Sequence, residues 1–235
     1  MDALSNIPLE IRIGAGYVRL TDVMPRIIPV EYNGMIDLKI PTIARTSTTG
    51  VNKSIAEDIK LIEFLYKNEH MSPFEFIEFE FELVLPIFVD RQLARHRTAS
   101  VNEFSGRYSK FAESFAEPSV IRKQAKVNRQ GSDGTIEDPE TLALFSKYMK
   151  GCHEQYQMYE ELLAKGVAKE QARIGLPLNL YTKKMWKMDL RNLLHFLELR
   201  TDEHAQLEIR EYADAIRKLI EPLIPNILKV FNSQI

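Results

Sequence analysis

One cysteine, Cys152, stands in 235 residues, so no intrachain disulfide can form and no cysteine cluster can hold zinc. The chain also lacks an excess of either charge: 31 lysines and arginines meet 33 acidic residues, for a formal net charge of −2. That balance gives no general attraction to nucleic acid or to an anionic membrane, and any anion recognition must come from local clustering. No apolar run reaches the roughly 18 residues of a membrane span. The N-terminal MDALSNIPLEIRIG lacks the basic-then-apolar layout of a signal peptide, so a cytoplasmic location is expected. Neither an internal repeat nor a linker appears. What is present, 45% apolar and 27% charged residues, suits one ordinary globular domain over residues 1–235.

The lone cysteine bears on chemistry. Phe145, Met149, Cys152, Tyr156 and Tyr159 recur at spacings of four and three, which places Cys152 on the apolar stripe of a helix. Nothing nearby would stabilise a thiolate, so a buried structural thiol is expected rather than a nucleophile.

Hydrophobic patterning predicts mixed helix and strand. Tyr17 to Val23 reads as a strand, and the proline- and isoleucine-rich stretch to Thr48 has no clear period. Ser54-Ile55-Ala56-Glu57 has the form of a capping box, and Ile55, Ile59, Ile62 and Tyr66 continue a helix to about Lys67. From Ile77 to Leu85 apolar residues alternate with Glu78, Glu80 and Glu82, the mark of a half-buried strand. Pro86 to Arg97 begins with a proline suited to a first helical turn and ends in a loop. Residues 118–140, with Gly131, Ser132, Asp133 and Gly134 together, read as a long loop or insertion that could act as a lid. Helices are predicted over Pro139 to Gly166, Ala168 to Ile174, Leu190 to Arg200 and Ala205 to Ile220. The fold class is therefore α+β in a single domain.

The most informative segment is Arg91 to Ser109, RQLARHRTASVNEFSGRYS, with four arginines and a histidine in nineteen residues. Guanidinium is planar, always charged and able to bond phosphate through two parallel contacts, so Arg91, Arg95, Arg97 and Arg107 together suggest anionic groups held at fixed geometry. A solvated basic face is the bland alternative. A nucleic-acid module stacking bases on Phe104 and Tyr108 is another. Such modules carry a wider basic footprint, whereas charge outside this strip is acidic on balance, as in Glu78, Glu80 and Glu82.

Arg95-His96-Arg97, followed after seven residues by Ser105, resembles the signature of the flavin-dependent thymidylate synthases, the ThyX family. His70-Met71-Ser72-Pro73-Phe74-Glu75 is similar to the family's His-x-Thr-Pro-Phe-Glu element, serine keeping the hydroxyl of threonine. Ala172 to Thr182 and Leu190 to Ile209 resemble two further blocks in the expected order. The resemblance implies a compact domain with a helix-flanked antiparallel or mixed sheet. It also implies reductive methylation of dUMP to dTMP, with 5,10-methylenetetrahydrofolate as carbon donor and NADPH-reduced FAD as hydride source, tetrahydrofolate being released. An NADPH oxidase that kept the fold and lost methylation is an alternative, opposed by the joint presence of nucleotide and flavin positions.

By the same resemblance, dUMP is expected to contact Gln92, Glu103, Ser105, Gly106, Arg107, Arg173 and Arg200, together with Leu93, Ala94, Arg95 and Phe104. Arginines suit the phosphate, and Gly106 lets backbone N–H groups approach an anion. Ser105 has no base beside it in sequence, which favours a hydrogen-bonding role over a nucleophilic one. Arg200 is expected to be catalytic, stabilising negative charge on the uracil ring in place of a covalent bond. For FAD the resemblance implies Ser72, Glu75, Arg95, His96, Arg97, Asn102, Glu103, Arg191, His195 and His204, with Asp189 where the family pattern suggests asparagine. Homotetramer formation with shared active sites is implied as well; no metal, nucleic-acid or membrane partner is expected.

Overall fold

The structure, a computed structural model, describes residues 9–48, 53–127 and 131–233. Its strands are β1 (Glu10–Ile13), β2 (Gly16–Met24), β3 (Glu78–Pro86), β4 (Ser100–Glu103), β5 (Arg122–Gln124), β6 (Ser132–Thr135) and β7 (Tyr181–Asp189). Its helices are α1 (Lys39–Ala44), α2 (Ile55–Lys67), α3 (Ile87–Leu93), α4 (Pro139–Ala164), α5 (Lys169–Ala172), α6 (Leu190–Thr201), α7 (Leu207–Ile220) and α8 (Pro225–Asn232). Five strands form one antiparallel sheet in the order β1-β2-β3-β7-β4, and β5 and β6 form a separate hairpin. The α+β expectation holds, with an antiparallel main sheet.

The centre of the sheet follows from alternation. Phe79, Phe81, Leu83 and Leu85 of β3 are buried while Glu78, Glu80 and Glu82 stay half-exposed. On β7 the inward set is Thr182, Lys184, Trp186 and Met188. Trp186 meets Phe81 at 6.1 Å and Phe196 of α6 at 5.2 Å between ring centroids, so aromatic contacts fasten α6 to the sheet. α7 packs on β1 and β2, and α8 on α2. Leu193, Phe196, Ile209, Ile216, Ile227 and Phe231 join the strand residues in one apolar core. At the start of α2, Glu57 N–H donates to Ser54 Oγ at 3.4 Å and Ser54 N–H to Glu57 Oε2 at 3.1 Å, the reciprocal capping that the sequence predicts.

Three differences are informative. Within the expected loop 118–140 the chain forms the β5–β6 hairpin, exposed on β6, where Gly134 takes a φ of +67°; residues 128–130 of that stretch, like the N-terminal residues 1–8, lie outside those described. Strand β7 carries Thr182 and Lys184 where alternation calls for apolar side chains, which hides it from a hydrophobicity reading. α8 follows the last predicted helix and seals the core with Ile227, Leu228, Val230 and Phe231. Among the described residues, no helix is long and apolar enough to cross a membrane.

Candidate active site

Arg95, His96 and Arg97 occupy the turn that leaves α3, with the N–H of His96 donating to Leu93 O at 3.0 Å. Gln92 lies on the last turn of α3 and donates from Nε2 to Gln206 Oε1 at 2.5 Å, while Leu93 is buried and Ala94 closes the helix. The chain then runs as β4 along the outer edge of β7, which presents Asn102 opposite Met185 and Glu103 opposite Lys184. All four β4 residues are exposed.

After β4 the chain turns sharply. Phe104 N–H donates to Lys183 O at 2.8 Å, and Tyr108 N–H and Ser109 N–H both reach Ser105 O, at 3.0 and 3.1 Å. Gly106 is buried in this turn against the Phe111 ring, and a Cβ there would lie 3.2 Å from Arg173 Cδ. Only glycine fits, and its absence of side chain is what brings Arg173 beside the Ser105–Arg107 turn. Arg107 pairs with Glu170 of α5 at 3.5 Å, which ties the turn to the segment carrying Arg173.

A second group forms around α6. Arg200 Nε donates to His96 Nε2 at 3.1 Å, and the His96 ring stands edge-on to Phe196 with centroids 4.9 Å apart. Burial, then the charges of Arg200 and His195, push the His96 imidazole down to about 4, so it is neutral near pH 7. Burial also lowers Arg200, which nevertheless stays charged. Arg191 and His195, four apart, share one face of α6. Arg191 Nη1 pairs with Glu75 Oε1 at 2.5 Å, so the Ser72–Phe76 turn docks beside that face. His195 reaches Glu198 at 3.3 Å, and His204, in the bend after α6, lies 3.4 Å from Asp202.

Asp189, expected at the flavin, stands at the start of α6. Its carboxylate caps α6, accepting Asn192 N–H at 3.0 Å and Asn192 Nδ2 at 2.6 Å. An acid suits the positive end of a helix, which accounts for aspartate at this position.

The expected residues thus gather in two groups: Glu103 to Arg107 with Arg173, and Ser72, Glu75, His96, Arg191, His195 with Arg200. Among the described residues, no hydrogen bond or ion pair joins Ser105, Gly106 or Arg173 to His96 or Arg200. Arg95, Arg97 and Arg173 have no acidic partner among the described residues. Unpaired guanidiniums beside half-buried polar groups are a donor set that fits phosphate and pyrophosphate, and so a flavin dinucleotide. A cavity of about 1400 Å³ lies apart, lined by Cys152, Arg122, Tyr148, Asn179 and Tyr212, and none of the predicted site residues borders it. Sequence reading missed Asp90, Thr182 and Lys184, buried polar residues packed behind Glu103; the only signal was charge at inward positions of elements that alternate or bury one face.

The profile of the family described as "Thymidylate synthase complementing protein" matches residues 30–226. This chain belongs to the flavin-dependent thymidylate synthase (ThyX) family. A flavin-dependent thymidylate synthase from Dictyostelium discoideum is 47% identical over 218 residues, covering 92% of this chain and 71% of the relative. Another from Thermus thermophilus is 48% identical over 219 residues, covering 93% and 76%. Among solved structures, a UMP/dUMP methylase, PolB from Streptomyces cacaoi, superposes with a TM-score of 0.79 at 29% identity, covering 96% of this chain and 97% of that one. Membership makes the chain an enzyme of thymidylate synthesis that uses FAD.

Proposed function

We propose that this ThyX enzyme methylates dUMP reductively to dTMP, with 5,10-methylenetetrahydrofolate as carbon donor and NADPH as reductant, and that tetrahydrofolate leaves. The observation that carries the reading is the Arg200–His96 pair: a neutral imidazole takes Nε, and neither Nη group has a protein acceptor among the described residues. A fixed, unshared guanidinium fork is what stabilisation of charge on a uracil ring requires. Arg200 is the catalytic residue in this reading. Gln92, Leu93, Ala94, Arg95, Glu103, Phe104, Ser105, Gly106, Arg107 and Arg173 hold the nucleotide, its phosphate meeting the turn at Gly106 and the arginines.

Ser105 binds rather than attacks. Its Oγ accepts Arg107 N–H at 3.3 Å, and no histidine or carboxylate contacts it among the described residues. Cys152 is buried on α4, where burial and then Glu117 push its thiol up, away from the thiolate a nucleophile needs. Ser72, Glu75, Arg95, His96, Arg97, Asn102, Glu103, Arg191, His195 and His204 hold FAD. When bound, the flavin supplies the hydride that completes the methyl group.

The sites are shared in a homotetramer. β4 is exposed, Ile174 and Leu178 are 81% and 61% exposed, and the two groups of site residues stay unjoined within one chain. Subunit contacts would cover those side chains and unite the groups.

The deciding experiment measures dTMP by chromatography from dUMP, methylenetetrahydrofolate and NADPH at low oxygen, with and without FAD. FAD-dependent dTMP is expected. NADPH consumption without dTMP would leave a flavin oxidoreductase in its place.

A further inference from the structure

Lys184 sits on the inward face of β7 between Thr182 and Trp186, its side chain 3% exposed, and it is the one lysine buried among the described residues. Taking an ammonium out of water is costly, and an apolar side chain of like volume often serves stability as well or better. Packing alone is therefore a weak reason for this charge.

Its neighbours suggest another. Nζ forms a close ion pair with Asp90 Oδ1 of α3. On the other side it lies 3.8 Å from Glu103 Oε2, and Glu103 stands directly opposite Lys184 in the β4–β7 register. The second oxygen of Glu103 accepts Thr182 Oγ1 at 2.8 Å. Both oxygens of that carboxylate thus face groups on β7, while its side chain stays 40% exposed. Asp90 precedes Gln92 by two residues, so the same ammonium links α3 to β4, the two elements that carry nucleotide residues.

We propose that Lys184 is a positioning residue, a buried ammonium anchored on Asp90 that acts with Thr182 to orient the Glu103 carboxylate toward the nucleotide. This rests on the reading that Glu103 contacts dUMP. Without Lys184, Glu103 keeps one side-chain bond, and its terminal torsion, which is intrinsically broad, is released.

The test compares the FAD-loaded wild type with Glu103→Gln, Lys184→Met and the double variant Asp90→Asn/Lys184→Met, in dUMP-varied turnover and thermal melting. Lys184→Met alone strands a buried carboxylate and lowers the melting temperature; the double variant removes that charge and recovers most of the loss. The dUMP KM stays raised about tenfold in the double variant, the size expected for loss of a bond to a charged group, and kcat changes far less. Adding Glu103→Gln to the double variant raises KM little further, because both changes disable one carboxylate.

A folded double variant with wild-type KM overturns the proposal, as does a full, independent effect of Glu103→Gln in its background. Should the Lys184 variants not fold, Thr182→Val removes the other bond to Glu103 without stranding a charge; raised KM supports the arrangement and unchanged KM overturns it. A wild type with no dUMP-dependent turnover overturns the functional reading itself, and is distinguished because the unmodified protein shows it.

Discussion

Arg200 Nε donates to His96 Nε2 at 3.1 Å across 104 residues of sequence, so that imidazole nitrogen is an acceptor and the ring carries its proton on Nδ1. The bond makes the neutral histidine a brace for the guanidinium. It also makes the protonation state of His96 a measure of whether Arg200 is seated.

The first prediction concerns that state. His96 is held at about 4 in the fold against an ordinary 6.5. Because the folded value is depressed, the native state binds fewer protons across that interval. Its contribution to stability is complete above about pH 6.5 and is lost as pH falls toward about 4. An NMR titration of the His96 ring should show a midpoint near 4 in the wild type and a higher one in Arg200→Ala, where a neighbouring positive charge is gone. A wild-type midpoint at the ordinary value would break the assigned pairing.

Arg200→Ala should also cost turnover while sparing the cofactor. Removing a donor aimed at developing charge lowers kcat by about 10²- to 10³-fold in comparable sites. The flavin absorbance of the purified variant should match the wild type, since the proposed function assigns Arg200 to the nucleotide. Wild-type turnover in a folded Arg200→Ala protein would remove this residue from the chemistry.

Cys152→Ala separates the flavin route from a cysteine route. The thiol is 6% exposed on α4, a helix whose other buried residues are Tyr156 and Tyr159. Its loss should destabilise the fold by about 1 kcal/mol, as single core substitutions commonly do. dTMP formation should persist at close to the wild-type rate. Abolished activity with an unchanged circular dichroism spectrum would show that the thiol takes part in the reaction.

What the sequence made legible followed from regular patterns. The β3 alternation, the Ser54–Glu57 box and the stripe carrying Cys152 each rest on a local period, and each stands within a residue or two of its expected bounds. The Arg95–Arg107 signature spans the α3 turn and β4, so its members fall in both groups of expected residues. The rest depended on contacts remote in sequence. β7 was hidden because its inward Lys184 is neutralised by Asp90, ninety-four positions earlier, and no local pattern reports that partner. The α6 cap made by Asp189 is likewise set by where β7 ends, which no local pattern reports.

Asp37 gives the last prediction, away from the site. It is fully buried and accepts Asn226 N–H at 2.8 Å, Ile227 N–H at 3.0 Å and Asn226 Nδ2 at 3.1 Å, so it holds the first turn of α8 from 189 residues away. Burial raises its carboxyl to about 6 from 3.8, although the hydrogen bonds from Asn226 and Ile227 pull the other way. For an acid with a raised folded value, the native state binds more protons than the unfolded chain between these limits. The associated stability is present below about pH 3.8 and is lost as pH rises through about 6, at most about 3 kcal/mol from the size of the rise. Other carboxylates, such as Glu82 held low by Lys183 and Tyr17, act in the opposite direction, so the wild-type curve alone does not isolate the effect. The difference between wild type and Asp37→Asn does. Urea denaturation at acid and neutral pH should show wild type losing stability relative to Asp37→Asn as pH rises through about 6. A difference that stays constant with pH would mean that the hydrogen bonds at the α8 N-terminus fully offset burial, and a wild type that gains stability relative to Asp37→Asn as pH rises would mean that they outweigh it.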